Sequence, residues 1–256
     1  MSTPRKIAVI LGVGPGLATA VASSLSPTHS LLLLSRSLPT SLPNLNLPAS
    51  IPKENILALP SDGSVGSLRK ALEEMEKKWP EGKLDVGVYN VNQRFNLKSF
   101  LDSSIEDLQG GLDSGVVNGW NFAQALIPRF LKNPDPRSLS ASDPASREGK
   151  GTLIFTGATM SLRAGASFSS LAPGMFARRA LSQSLAREFG PQGIHVAHVV
   201  IDGIIDTGAV KDKLGEDKQG SRMQTEEIAD AFVGLVRQRR SAWTQELDLR
   251  PDVEKW

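Results

Sequence analysis

Short apolar runs alternate with amphipathic stretches along most of the chain. Lys6 to Leu11 (KIAVIL) and Ser30 to Ser35 (SLLLLS) are continuous apolar segments. Such runs are the pattern of parallel strands covered on both faces, because neither face needs polar residues. Further runs lie at Ile56 to Leu59, Leu84 to Tyr89, Thr152 to Phe155 and Ile194 to Ile201, and a last one, Trp243 to Leu249, alternates. Between them, Val65, Leu68, Leu72, Met75 and Trp79 recur at three- and four-residue spacing, which places them on one helix face. Ser104 with Asp107 reads as a capping box opening another helix, and Thr225 with Ile228 and Ala229 opens the last one. The alternation predicts an α/β protein: a Rossmann-type doubly wound parallel sheet of about seven strands with helices on both faces.

Two segments break the rhythm. Ser37 to Lys53 carries Pro39, Pro43, Pro48 and Pro52, so the crossover after the second strand is not expected to be a regular helix. Asn133 to Lys150, rich in Pro, Ser, Asp and Gly, reads as a flexible surface loop. No repeat or linker interrupts the pattern, so residues 1–256 are expected to form one domain.

The formal net charge of +2, with acids and bases interleaved, argues against nucleic acid or a membrane surface as the main partner. The absence of cysteine removes disulfides, thiolate catalysis and cysteine-ligated metals. His29, His195 and His198 are the only histidines and do not have metal-ligand spacing, so no metal is expected. A polar start and no bilayer-length apolar run make the cytoplasm the expected location.

The first strand runs directly into Gly12-Val13-Gly14-Pro15-Gly16-Leu17-Ala18. A glycine-rich turn between strand and helix lets the backbone approach a pyrophosphate at the positive helix N-terminus, which makes Gly12, Gly14, Gly16 and Leu17 candidate cofactor contacts. A tight turn without a ligand is the alternative. The second strand ends in Ser35-Arg36, where an NAD enzyme usually carries an acid for the ribose hydroxyls. An arginine there suits a 2′-phosphate, which favours NADP(H); a solvated strand-end charge is the other reading.

Gly12, Gly16 and Ala18 fit G-x-x-x-G-x-G with alanine last, and the chain resembles the short-chain dehydrogenases/reductases over nearly its whole length. Tyr89-Asn90-Val91-Asn92 stands at that family's N-N-A-G motif. Gly193-Ile194-His195-Val196 resembles the entry to its sixth strand, and Gly203 with Thr207 fits P-G-x-x-x-T, with Asp202 in place of the proline. The tail from Ala242 to Pro251 is similar to a divergent branch. The resemblance implies that Asp62 lies near the adenine, that Asn90 borders the cofactor, and that Thr207 lies near the nicotinamide carboxamide.

The family's catalytic side chains are missing. In the register anchored on Leu181 to Glu188, the tyrosine falls on Leu171 and the lysine on Met175. Thirteen residues before Leu171 the serine falls on Ala158, and on the earlier helix the register anchored on Gln124 to Pro128 puts the asparagine on Gly115. Tyr89 is the only tyrosine, so no shift of register restores one in that helix. Thr156, Thr159 and Ser161 lie where the serine belongs, and Asp202 ends the sixth strand. Thr159, Ser161 and Asp202 are therefore the catalytic candidates, beside ordinary loop hydroxyls and a strand-end acid as alternatives. Arg163 is placed to pair with Asp202 or to clamp an anionic substrate, and His198 is expected in the core.

Three functions stay open: an NADP(H)-dependent oxidoreductase of unusual mechanism acting on an electrophilic small molecule, a non-redox cyclase or isomerase using the emptied pocket, and an inactive cofactor-binding scaffold. A homodimer or homotetramer is expected. The family packs the helices after the fourth and fifth strands across subunits, and Val116, Val117, Trp120 and Phe122 exceed one buried face.

Overall fold

The computed structural model describes residues 5–91 and 97–254; Asn92 of the Tyr89-Asn90-Val91-Asn92 motif lies outside them. Seven strands form one sheet: β1 Lys6–Leu11, β2 His29–Ser35, β3 Ile56–Pro60, β4 Lys83–Tyr89, β5 Gly151–Ala158, β6 Ile194–Ile201 and β7 Glu246–Leu249. Their order is β3-β2-β1-β4-β5-β6-β7, and every pairing is parallel. The expected doubly wound sheet is thus the observed one.

Two apolar cores account for the unbroken apolar runs. On one face, Ile10, Leu31, Leu33 and Val199 pack against α1 (Leu17–Leu25) and α7 (Thr225–Arg237). On the other, Val9, Leu32, Leu34 and Phe155 pack beneath α2 (Val65–Lys78), α4 (Asn118–Lys132) and α5 (Ala172–Phe189). Successive strand residues point to opposite faces, so a strand covered twice carries no polar alternation.

Local chemistry sets the element ends. Ser104 and Asp107 form the expected reciprocal cap of α3 (Ile105–Leu112). The proline-rich crossover contains only single 3₁₀ turns, Leu42–Asn44 and Lys53–Asn55. Trp79 ends α2 instead of extending it: its indole nitrogen donates to the Glu54 carbonyl at 3.2 Å. The last strand is shorter than its pattern predicts. Trp243 stacks on His195 (5.1 Å between centroids, 5° between planes), which takes it out of the ladder. Between α3 and α4 the helix widens into a π turn, Asp113–Val117.

Of the four apolar residues expected at a subunit interface, Phe122 instead fills the core, 5.9 Å from the Tyr89 ring, and Val116 is half-buried. Val117 and Trp120 remain 43% and 52% exposed. Among the described residues no helix is long and apolar enough to cross a membrane.

His198 lies in the core as expected, beneath α5, with Nδ1 3.1 Å from Glu246 Oε2; Glu246 in turn accepts two hydrogen bonds from Arg179 at 2.7 Å. Burial holds the His198 imidazole down at about 4, against the opposing pull of Glu246, and burial lowers His195 as well. An unfolded histidine takes its proton near 6.5, so between these values the unfolded chain binds more protons and stability rises with pH. The contribution is complete above about pH 6.5 and is lost as pH falls toward 4. For His198 it is on the order of 2–3 kcal/mol. The melting temperature is therefore expected to fall from pH 7 to pH 4.5, and His198→Gln, which cannot take up the proton, to flatten that slope. Parallel melting curves of the two proteins across this range would contradict the assignment.

Candidate active site

The strand order reverses between β1 and β4, and the crevice above that reversal is where open α/β sheets take ligands. Gly12 follows β1 at φ +92°, with its amide donating to the Leu34 carbonyl at 2.8 Å. A Cβ on Gly12 would stand 2.4 Å from the Asn90 carbonyl oxygen, so only glycine allows the two backbones to meet. Buried Asn90 returns a hydrogen bond from Nδ2 to the Gly12 carbonyl at 3.3 Å. Gly16 precedes α1 at φ +138°, and a Cβ there would lie 3.1 Å from Thr207 Cγ2. Nearly two hundred residues separate Gly16 from Thr207, yet the fold sets them side by side. Thr207 caps α6 (Gly208–Leu214) by accepting from the Val210 amide at 3.3 Å. Gly14 is different: its Cα faces open space.

A cavity of about 570 Å³ opens over this turn, lined by Gly12, Gly14, Ser35, Arg36, Asp62 and Asn90. Six of the sequence-derived cofactor candidates are thus in one place. Arg36 is exposed and makes no hydrogen bond or ion pair among the described residues. Asp62 accepts from the Ser64 amide at 2.9 Å and Ser67 Oγ at 2.7 Å; the Ser64 bonds, then Ser67, hold its carboxyl down at about 2. The side chain of Leu17 packs in the core, and its backbone belongs to the turn.

At the carboxyl ends of β5 and β6 the residues form a second group. Asp202, 3% exposed, accepts from Thr159 Oγ1, and Arg163 and Arg250 each bring Nη2 within 3.4 Å of its second oxygen. Every neighbour is a donor, which makes Asp202 an acceptor that orients Thr159 and the half-exposed Arg163. The expected Arg163–Asp202 pairing is present; Arg250 was not foreseen.

Ser161 does not reach the cavity. It is fully buried, and its Oγ accepts from the Ala158 amide at 3.2 Å. A Cβ on Gly157 would lie 3.0 Å from Ser161 Oγ and 2.3 Å from His198 Nε2, so the serine sits in the layer under α5. Thr156 is buried too. Leu171 and Met175 are buried at the start of α5, Ala158 is the last residue of β5, and Gly115 lies in the π turn. No hydroxyl or ammonium stands at these four positions.

One residue escaped the sequence reading. Arg178, on α5, is 1% exposed and donates to the carbonyls of Gly115 (2.7 Å), Thr156 (2.5 Å), Val91 (3.0 Å) and Ser114 (2.8 Å). A signal was available: Leu171, Met175, Arg178 and Ser182 are spaced four, three and four apart, which puts a charge on the helix face that turns inward.

No protein-family model matches the chain. An uncharacterized oxidoreductase of Staphylococcus epidermidis is 24% identical over 252 residues, covering 96% of this chain and 97% of the relative. Among solved structures, a short-chain oxidoreductase of Pseudomonas aeruginosa containing an atypical catalytic centre superposes with a TM-score of 0.79 at 14% identity, over 98% of each chain. An alcohol dehydrogenase of the archaeon Thermococcus sibiricus, solved in complex with 5-hydroxy-NADP, gives 0.77 at 18% identity, again over 98% of each chain. The chain has the fold of the short-chain dehydrogenases/reductases and is similar over 96% of its length to an oxidoreductase.

Proposed function

We propose that this protein is an NADP(H)-binding oxidoreductase of the short-chain dehydrogenase/reductase family, acting on an electrophilic small molecule without the family's tyrosine and lysine. The observation that carries the reading is the convergence of Gly12, Gly14, Arg36 and Asn90 on one cavity above the reversal of strand order. The donor set fits a dinucleotide. The open Cα of Gly14 and the N-terminus of α1 accept a pyrophosphate at close range. The free guanidinium of Arg36 is matched to a 2′-phosphate, and Asp62, tied into the start of α2, borders the adenosine end. The Thermococcus sibiricus enzyme, with its bound NADP derivative, supports the choice of cofactor.

Bound NADPH supplies the hydride. The chain's own residues orient the acceptor. Thr159 is held by Asp202, and Arg163 presents a half-exposed guanidinium beside them to a polar or anionic group of the substrate. No side chain at Ala158, Leu171 or Met175 gives up a proton, so substrates that need none in the slow step are favoured. An iminium ion, or an enone protonated by water, meets that condition.

Titration with NADPH and NADH is expected to show tighter binding of NADPH, and Arg36→Ala to weaken NADPH about tenfold while leaving NADH within about twofold. Equal wild-type affinities, or an unaffected variant, would remove the case for a 2′-phosphate contact.

The exposed Val117 and Trp120 are proposed to lie between subunits of a homodimer or homotetramer. Light scattering at micromolar concentration is expected to give an oligomer for the wild type and a smaller species for Trp120→Glu. A wild-type monomer would end this reading.

Simple secondary alcohols and ketones are expected to turn over at least about a hundredfold more slowly than in an enzyme with an intact tyrosine and lysine. Leu171→Tyr combined with Met175→Lys is expected to gain slow carbonyl reduction, followed by NADPH absorbance. Brisk wild-type oxidation of plain alcohols, unaffected in Asp202→Asn, would mean that the chemistry lies elsewhere.

A further inference from the structure

Arg178 is a fully enclosed guanidinium whose hydrogen-bond partners are all backbone carbonyls. Its Cζ lies 4.7 Å from the centroid of the Tyr89 ring, and the Tyr89 hydroxyl donates to the Ser114 carbonyl, which Arg178 also bonds, at 2.6 Å. The four carbonyls belong to three elements. Val91 follows Asn90 just beyond β4, Thr156 lies in β5 two residues before Ala158, and Ser114 and Gly115 lie in the π turn that opens α4. Two of the carbonyls that Arg178 takes thus belong to a π turn, a distortion often found at functional sites. No other described side chain bonds to all three elements.

Val91 borders the adenosine cavity, whereas Thr156 and the Ser114–Gly115 turn lie outside its lining. That cavity is lined by the ends of β1, β2 and β3 with Asn90 and Val91, and the Thr159–Asp202 pair stands on the other side of β5. A dinucleotide with its adenosine end at Arg36 therefore runs its nicotinamide end over the β4–β5 side.

We infer that Arg178 is a positioning residue: a permanent buried cation that holds Val91, Thr156 and the Ser114–Gly115 turn in register as the floor for the nicotinamide end of the cofactor. The inference rests on the cofactor reading above. It gives the floor a rigidity that does not depend on pH. Burial pushes the guanidinium below its usual range, with Tyr89 opposing, and arginine starts high enough to stay charged. The titratable groups facing it do not change state near neutrality. Tyr89 is pushed up to about 12, chiefly by burial, and His198 is held at about 4, while the Arg179–Glu246 pair next to it is locked by two hydrogen bonds.

The test compares full-length wild type, Arg178→Lys and Arg178→Met, each checked for folding by circular dichroism. Calorimetry then follows binding of NADPH and of 2′,5′-ADP, which carries only the adenosine half, at pH 7 and pH 9. The wild type is expected to bind both ligands equally well at the two pH values. Arg178→Met is expected to lose NADPH affinity about tenfold at both, with 2′,5′-ADP within about twofold. In Arg178→Lys the NADPH loss is expected to grow from pH 7 to pH 9, because a buried ammonium gives up its proton far more readily than a guanidinium. A purely structural arginine would weaken both ligands together or neither, and either result overturns the inference. Failure of the wild type to bind 2′,5′-ADP overturns the cofactor reading itself, and this inference with it. If both variants fail to fold, hydrogen exchange on the wild type decides. NADPH, but not 2′,5′-ADP, must slow exchange in residues 113–117, and equal protection by the two ligands overturns the proposal.

Discussion

Gly12 and Asn90 meet backbone to backbone at the one place in the sheet where the direction of winding reverses. The approach is so close that a single methyl group at residue 12 would overlap the Asn90 carbonyl, and the Asn90 side chain closes the contact by bonding back to the Gly12 carbonyl. Much else follows from it. With β1 and β4 drawn together, their crossovers leave in opposite directions and a crevice opens above them. The turn after Gly12 then exposes Gly14 to that crevice while Gly16 rests against Thr207. The same contact ties the end of β4 to the segment that Arg178 holds from below, so the upper and lower halves of the site share one support.

The layer under α5 is unusual in its electrostatics. Arg178, His198 and Ser161 occupy space that apolar side chains would ordinarily fill, and the partly exposed Arg179–Glu246 pair borders it. Burying an ionised group costs several kcal/mol unless it is well bonded. Arg178 offsets the cost with four carbonyls and an aromatic face, each worth more in a dry interior than in water. His198 meets the same condition differently, by staying neutral. The charge that survives in this layer is therefore one that does not titrate near neutrality. Leu171 and Met175, buried at the start of α5, likewise carry no ionisable group. Above it, Asp202 is surrounded by donors, so the polar groups that face outward, Thr159 and Arg163, are held by a buried acid.

Much of this protein is written in local sequence. Apolar runs such as Lys6 to Leu11 and Ile194 to Ile201 mark their strands to the residue, because a strand covered on both faces tolerates little else. The Ser104–Asp107 cap and the four prolines after β2 decide their elements through bonds and ring geometry that span only a few residues. The glycine spacing after β1, Arg36 at the end of β2 and the absence of a second tyrosine likewise need no fold to be read. What only the tertiary structure decided is whether a side chain faces a cavity or a core, since that depends on elements far away in sequence. Phe122 and Leu17 turn inward because α4 and α1 lie against the sheet on those sides. Ser161 is enclosed because α5 covers it. Asp202 finds Arg250 only because β7 pairs beside β6, and Arg178 finds four carbonyls only where β4, β5 and the π turn converge. Periodicity reports which face of an element turns inward, but the partners waiting there come from other parts of the chain.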